Sequence, residues 1–402
     1  MQRVTILGST GSIGVNTLDV IRRRRERFQV YALVAGGNLE RLAEQVVEFR
    51  PRLAVIESRE RLPELRERLR AAGCAEDAMP ELDWGAAGRV RAATAPEVDI
   101  VMSAIVGIAG LEATYEAARR GKRIGLAAKE VLVACGKLVM EASRATGSEL
   151  IPVDSEHNGV HQCMRAGRRS EVSRVILTAS GGPFRDTPKQ LLASVTPEQA
   201  LQHPTWRMGK RITIDSATMM NKGFEVIEAC WLFDLKPQEV EVLIHPQSTV
   251  HALVEFCDGS VIAQLSVTDM RMPIQYALTW PERAEAPVER LDWSQARKWE
   301  FYPPDWEKFP LLKLAYYAQR SGPAATCILN AADEVAVAAF LEGKIGFPAM
   351  AEVVEETLCR LQRPEPESLE EVLELDREAR QVAGQVIGRR TGAGAAQPAA
   401  SV

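Results

Sequence analysis

Two periods of apolar spacing divide this chain. Over roughly its first 150 residues, short and nearly continuous apolar runs alternate with segments of helical spacing. The runs are RVTILG at 3–8, VYALVAGG at 30–37, LAVIE at 53–57, DIVMSAIVG at 99–107, RIGLA at 123–127 and ELIPV at 149–153. Such runs, bounded by glycine or polar residues, read as strands buried on both faces. NTLDVIRR at 16–23, NLERLAEQVVEF at 38–49 and LEATYEAARR at 111–120 supply helices between them. The alternation predicts an α/β protein with an N-terminal Rossmann-like, doubly wound parallel sheet. Ligands are expected at the carboxyl ends of its strands.

The pattern then changes. VSRVILTASGGPF at 172–184 reads as a strand running into Ser180-Gly181-Gly182, and RITIDSA at 211–217 as a strand with a polar end. MMNKGFEVIEACWLF at 219–233 is an amphipathic helix. Residues 239–267 read as strands with a hairpin turn at Asp258-Gly259. Proline, tryptophan and charge dominate 281–310, and helical spacing returns from 311. The expected organisation is a nucleotide-binding domain at 1–150 and an α+β catalytic and dimerisation domain at 151–280, with a flap around 201–210. A linker at 281–310, a C-terminal helical bundle at 311–390 and a disordered tail at 391–402 would follow.

Composition narrows the classes. A chain of 402 residues, 46% hydrophobic and 26% charged, can build full cores in two or three domains. A net charge of −5 argues against a nucleic-acid partner. The basic run RRRRER at 22–27 falls at a predicted helix end, where cations suit the dipole. Seven cysteines without a C-x-x-C pair fit reduced thiols and a cytoplasmic location. No signal peptide is read, no apolar run is taken as long enough to span a membrane, and no membrane partner is expected.

Candidate chemistry follows. GSTGSIG at 8–14 lies between a strand and a helix. Glycines there let backbone approach a pyrophosphate seated on the helix N–H groups, with Thr10, Ser12 and Ile13 alongside. The second strand ends in Ala35-Gly36-Gly37-Asn38, without the acid that would hold a ribose 2′-hydroxyl. NADP(H) is favoured over NAD, with Asn38 and Arg41 as contacts; Asn38 also suits a helix N-cap. Lys129 sits at another strand end.

In IPVDSEHN at 151–158, strand alternation would place Asp154 and Glu156 on one side, as a hard-metal seat or an acid/base pair. The alternative is a polar turn with an N-cap at Ser155. His157 and His161, four apart, could face one ligand or be ordinary helix residues. Asn221, Lys222, Ser180 and Ser216 suit a phosphate, and Glu225 is the best third oxygen ligand for Mg²⁺ or Mn²⁺. LQHPTWRMGK at 201–210 reads as a mobile lid or as a loop around a structural Trp206. His251 is left open between a catalytic and a structural role.

The long motifs carry a resemblance. GSTGSIG, VDSEHN, SGGPF, HPTW-x-MG, DSATMMNKG-x-E, IHPQS and LNAA-x-E at 329–334 together resemble the family of 1-deoxy-D-xylulose 5-phosphate reductoisomerases over nearly the whole chain. The resemblance implies an NADPH-dependent enzyme of non-mevalonate isoprenoid synthesis. It would rearrange 1-deoxy-D-xylulose 5-phosphate, by retro-aldol/aldol or ketol shift, and reduce the product to 2-C-methyl-D-erythritol 4-phosphate.

It implies Asp154, Glu156 and Glu225 as ligands of Mg²⁺, Mn²⁺ or Co²⁺, and Lys129, Ser155 and Glu156 as catalytic groups at the substrate. Ser180, His203, Ser216, Asn221 and Lys222 would hold the phosphate side. Thr10, Gly11, Ser12, Ile13, Gly36, Gly37, Asn38, Glu130 and Gly209 would contact NADPH, and Trp206 and Met208 would belong to the flap. A homodimer with a small phosphorylated sugar substrate is implied. The chain departs from the family at Gly37, where a basic residue is common, and at Ala128, where the family's A-N-K-E turn has asparagine. The rival functions are another NADP-dependent dehydrogenase of a phosphorylated small molecule and a non-catalytic NADPH sensor.

Overall fold

The structure, a computed structural model, describes residues 1–204, 208–294 and 296–394, with side chains up to Arg390. Trp206 and residues 395–402, which fall in the expected flap and tail, lie outside the described residues.

In chain order, the first half contains β1 Gln2–Leu7, α1 Ser12–Arg23, β2 Phe28–Val34, α2 Leu39–Phe49, β3 Leu53–Ile56, α3 Leu62–Ala71, β4 Glu81–Trp84 and α4 Gly85–Thr94. It continues with β5 Ile100–Ser103, α5 Leu111–Ala118, β6 Arg123–Leu126, α6 Glu130–Thr146, β7 Leu150–Pro152 and α7 Ser155–Cys163. Next come β8 Val172–Ala179, α8 Pro197–Ala200, α9 Lys210–Thr218, α10 Met220–Phe233, β9 Val240–Ile244, β10 Val250–Phe256 and β11 Val261–Leu265. The last helices are α11 Arg271–Thr279, α12 Pro310–Ser321, α13 Pro323–Leu341, α14 Phe347–Arg360 and α15 Leu369–Gly394.

Two compact units form. The first comprises Met1–Val131, Leu138–Gln162 and Asp269–Ser294. Its parallel sheet has the order β4-β3-β2-β1-β5-β6-β7, so the strand order reverses direction beside β1. The apolar runs are buried as their continuity predicts: Val4, Ile6, Leu33, Ala54, Ile100 and Met102 are each at most 1% exposed. The sheet has seven strands, one more than the periodicity shows, because β4 (ELDW) is short and only partly buried. Helix α11 was also missed. Ile274, Tyr276, Ala277 and Leu278 from it enter the core of this sheet.

The second unit comprises Leu132–Lys137, Cys163–Thr268 and Gln295–Val402. Its mixed sheet has the order β11-β10-β8-β9, with β8 and β9 parallel and the β10–β11 hairpin antiparallel. Asp258-Gly259 makes the expected turn; Gly259 has φ +83°. Helices α12 to α15 form the expected bundle. This division differs from the expected boundaries. Helix α7 follows β7 directly, and α11 buries an apolar face on the first sheet, so both belong to the first unit despite lying beyond residue 150.

Four expectations are corrected. RITIDSA is the helix α9, capped by Gly209 and stabilised by a Thr213 hydroxyl bond to the Gly209 carbonyl at 2.8 Å. Helical spacing there places Arg211 and Asp215 one turn apart, 3.8 Å between Nε and Oδ2, and Arg211 reaches Asn330 and Glu334 of α13, so tertiary pairing overrides β-branched propensity. Asp154 and Glu156 do not alternate on a strand: β7 ends at Pro152 and Glu156 lies in the first turn of α7. The tail is helical as far as Gly394. Helix α13 is long and apolar enough to cross a membrane by length and composition, but 72% of that stretch is buried inside the protein, as in a core helix.

That core helix carries a fully buried acid, Asp333. Arg211 lies 4.0 Å from it and 3.3 Å from Glu334, and donates to Asn330 Oδ1 at 3.0 Å. Burial, with the neighbouring Asp215 carboxylate, pushes the Asp333 carboxyl well above the ordinary range. The folded state therefore keeps a proton that the unfolded chain releases above about pH 4. Stability falls as pH rises from there towards the folded value. Asp333→Asn removes this cost. Thermal unfolding should show its midpoint raised by about 1–3 °C at pH 8, with the gain vanishing near pH 4; a loss at pH 8 would refute the reading.

Candidate functional site

In the first unit the polar groups gather at the carboxyl ends of the strands. Helix α1 begins at Gly11, with no side-chain cap and no acid in its first turn. The helix start is left with its N–H groups and the Ser12 side chain, a seat that suits an anion. Two glycines make this turn possible. A Cβ at Gly8 (φ +91°) would lie 2.5 Å from the Ala104 carbonyl oxygen, and one at Gly14 would lie 2.3 Å from that of Gly8. The first and fifth strands thus meet the helix at backbone contact.

At the end of β2, Gly36, Gly37 and Asn38 are exposed. Asn38 caps α2, its Oδ1 accepting from Arg41 N–H at 3.1 Å. Arg41 reaches the Thr10 carbonyl at 3.4 Å. Glu130 accepts from Gly107 N–H at 3.1 Å, so it braces the loop after β5. Ala128 is buried, its N–H bonded to Ser103 O at 3.0 Å.

Neighbouring β6 and β7 deliver the chemistry. Lys129 follows β6, is 5% exposed, and forms an ion pair with Asp154 after β7. Asp154 sits at the head of α7, accepting from Ser155 N–H at 3.2 Å through Oδ1 and from Asn158 N–H at 2.8 Å through its carbonyl. Ser155 Oγ donates to Glu156 at 2.5 Å. The start of α7, and not strand alternation, holds these groups. His157 is buried with Nδ1 4.0 Å from Asp154. His161 instead bonds Tyr276 Oη at 2.8 Å and packs edge-on against Trp280. The two imidazoles serve different neighbours, so the shared-ligand reading is dropped.

In the second unit, the turn after β8 and the α9–α10 junction form a polar cluster. Ser180 Oγ lies 3.1 Å from His203 Nε2 and accepts from Gly182 N–H at 3.2 Å. Burial lowers the His203 pKa, which keeps the ring neutral near pH 7. A Cβ at Gly182 (φ +67°) would be 2.5 Å from the Ser216 carbonyl oxygen. Ser216 Oγ bonds Ile212 O at 2.8 Å. Met219, in left-handed conformation at φ 64°, turns the chain from α9 into α10.

Asn221 and Lys222 then lie in the first turn of α10, both on Glu225. Asn221 donates to it at 2.6 Å and Lys222 forms an ion pair with it. Lys222 and Glu225 are 3% and 1% exposed. The expected phosphate ligands and the expected metal ligand of this unit thus hold one another. His251 is buried in β10, and Gly209 caps α9.

Comparison with known proteins gives this arrangement a family. The family described as 1-deoxy-D-xylulose 5-phosphate reductoisomerase matches residues 4–136, and its C-terminal domain matches 150–233. A further DXP reductoisomerase C-terminal domain matches 265–382. The 1-deoxy-D-xylulose 5-phosphate reductoisomerase of Solibacter usitatus is 64% identical over 97% of this chain and 98% of its own length. The chain belongs to the 1-deoxy-D-xylulose 5-phosphate reductoisomerase family.

The reductoisomerase of Dechloromonas aromatica is 51% identical over 96% of the chain and 98% of its own. Among solved structures, the reductoisomerase from Zymomonas mobilis in complex with NADPH is 46% identical, with a TM-score of 0.89 over 96% of this chain and 99% of its own. A DOX-P reductoisomerase in complex with NADPH, fosmidomycin and magnesium is 40% identical, with a TM-score of 0.90 over 96% and 98%.

Arg61, in the turn after β3, and Arg211, in α9, carry no spacing signal in the sequence, because their partners lie far along the chain or on another element. The tight turn supplies a direct test. Gly14→Ala must displace the Gly8 backbone, a cost of about 1–3 kcal/mol. Differential scanning calorimetry should show a lowered unfolding midpoint, whereas Gly36→Ala, where no atom lies within 4 Å, should leave it unchanged.

Proposed function

We infer that the chain catalyses the family reaction. It rearranges 1-deoxy-D-xylulose 5-phosphate and, using NADPH, reduces the product to 2-C-methyl-D-erythritol 4-phosphate in isoprenoid precursor biosynthesis. The observation that carries this reading is the buried Lys129–Asp154 pair at the strand ends of a nucleotide-binding sheet. A desolvated lysine closed on a carboxylate suits a substrate that bears developing oxyanions.

The residues suit the two groups the reaction needs. The glycine turn before α1, which a Cβ at Gly8 or Gly14 would distort, leaves the first N–H groups of α1 to a pyrophosphate. Thr10, Gly11, Ser12, Ile13, Gly36, Gly37, Asn38, Glu130 and Gly209 are proposed as the NADPH contacts. The proposed metal donors, Asp154, Glu156 and Glu225, are all carboxylates, which fits Mg²⁺ or Mn²⁺. When bound, the metal supplies Lewis acidity at the substrate ketone and its neighbouring hydroxyl, and NADPH supplies the hydride.

The chain's own residues do the rest. Lys129 and Lys222, paired here with Asp154 and Glu225, would be released if those carboxylates served as metal ligands. Lys129 can then face the substrate oxygens, and Lys222 the phosphate. Glu156, bonded by the Ser155 hydroxyl, is placed to accept a proton at Oε1 or Oε2. Ser180, neutral His203, Ser216 and Asn221 complete the phosphate side with uncharged groups, beside the positive charge of Lys222. That grip is remote from the reacting carbons, and its binding energy can align them. The first unit is the cofactor-binding domain on this reading, and 201–210 acts as the flap.

Two further parts of the reading concern assembly and location. Strand β11 is an edge strand with Val261 and Ile262 47% and 39% exposed, which supports a homodimer through this sheet. The seven free cysteines support the cytoplasm.

NADPH oxidation by the purified protein should require both 1-deoxy-D-xylulose 5-phosphate and a divalent metal. EDTA should abolish it and Mg²⁺ or Mn²⁺ restore it; metal-independent oxidation would indicate a plain dehydrogenase, and binding without turnover a sensor. Glu225→Gln should lower kcat by about 100-fold or more. Turnover that survives this substitution would falsify the three-carboxylate site.

A further inference from the structure

The end of β2 is where a doubly wound sheet receives the adenosine ribose of a dinucleotide. In this chain residues 35–38 are Ala-Gly-Gly-Asn and bring no charge of their own. Asn38 Oδ1 is engaged in capping α2. The positive group at this place comes from the next strand. Arg61, in the turn between β3 and α3, donates from Nη1 to the Gly37 carbonyl at 3.1 Å. Its Nε donates to Glu64 at 3.0 Å.

These two bonds fix the plane of the guanidinium and use two of its five N–H groups. The space in front of it is open. A Cβ at Gly36 would meet nothing within 4 Å, and one at Gly37 would meet first Arg61 Nη1, at 3.6 Å. The charge is not cancelled. Arg68 also bonds Glu64, at 3.0 Å, so two guanidinium groups share one carboxylate and the trio stays cationic. The Arg61 side chain is 39% exposed, enough to meet a ligand and enough withdrawn to be held in place.

We propose that Arg61 is the specificity-determining residue for the 2′-phosphate of the cofactor, reaching over Gly37 from the neighbouring strand end. The inference rests on the NADPH reading above. Planar, bidentate recognition of a phosphate is what a guanidinium held at two points is shaped for. Arg41 has a different position, on the Thr10 carbonyl of the glycine turn, and serves the pyrophosphate side.

The test is calorimetric binding to the intact protein, using 2′-phosphoadenosine diphosphoribose and ADP-ribose as probes. Arg61→Ala should weaken the phosphorylated probe by about tenfold or more and change ADP-ribose by less than about twofold. Arg68→Ala, which removes a cation from the same carboxylate but leaves the guanidinium at Gly37, should lower the ratio by less than Arg61→Ala does. Gly37→Lys in the Arg61→Ala background should restore the preference. Equal weakening of both probes, or an equal effect of Arg68→Ala, would overturn the role of Arg61. If the unaltered protein shows no preference between the probes, the NADPH reading fails, and this inference with it.

Discussion

A lysine withdrawn from water gains from a counter-charge, and two of this protein's buried lysines have a carboxylate at contact. Lys129 is closed on Asp154 in the first unit and Lys222 on Glu225 in the second. Such pairs seldom stabilise a fold on balance, because desolvation offsets the attraction. On the function proposed above, each carboxylate would exchange its ammonium for a cation, and each ammonium would turn to an oxyanion of the substrate. The surrounding architecture serves to hold them: the β6 and β7 ends for the first pair, the left-handed turn at Met219 for the second.

The fold was legible where one physical signal dominated. Continuous apolar runs bounded by glycine gave the central strands, and Asp258-Gly259 the hairpin. Strand β4 escaped because ELDW is short and half-exposed. Helix α11 escaped because its apolar face finds the sheet only after the chain has passed through the second unit. RITIDSA misled because β-branched residues favour a strand locally, while the buried Arg211–Asp215 pairing needs one helical turn.

The candidate site was legible as a set of residue types, less so as geometry. DSE read as strand alternation, but the helix head at Asp154 is what orders its groups. The pairing of Lys222 with Glu225 follows from their i, i+3 spacing, although a phosphate role for one and a metal role for the other hid it. Arg61 had no sequence signal, since its relation to Gly37 exists only once β2 and β3 lie side by side.

The approach of Gly182 to Ser216 has a mechanical consequence. With no room for even a methyl group between the turn after β8 and the carbonyl at residue 216, the turn and the end of α9 cannot slide past one another. Ser180 and Ser216 therefore travel as one rigid jaw. Any movement of α9 must bring the serine turn with it, so on the phosphate reading proposed above the two hydroxyls would shift together.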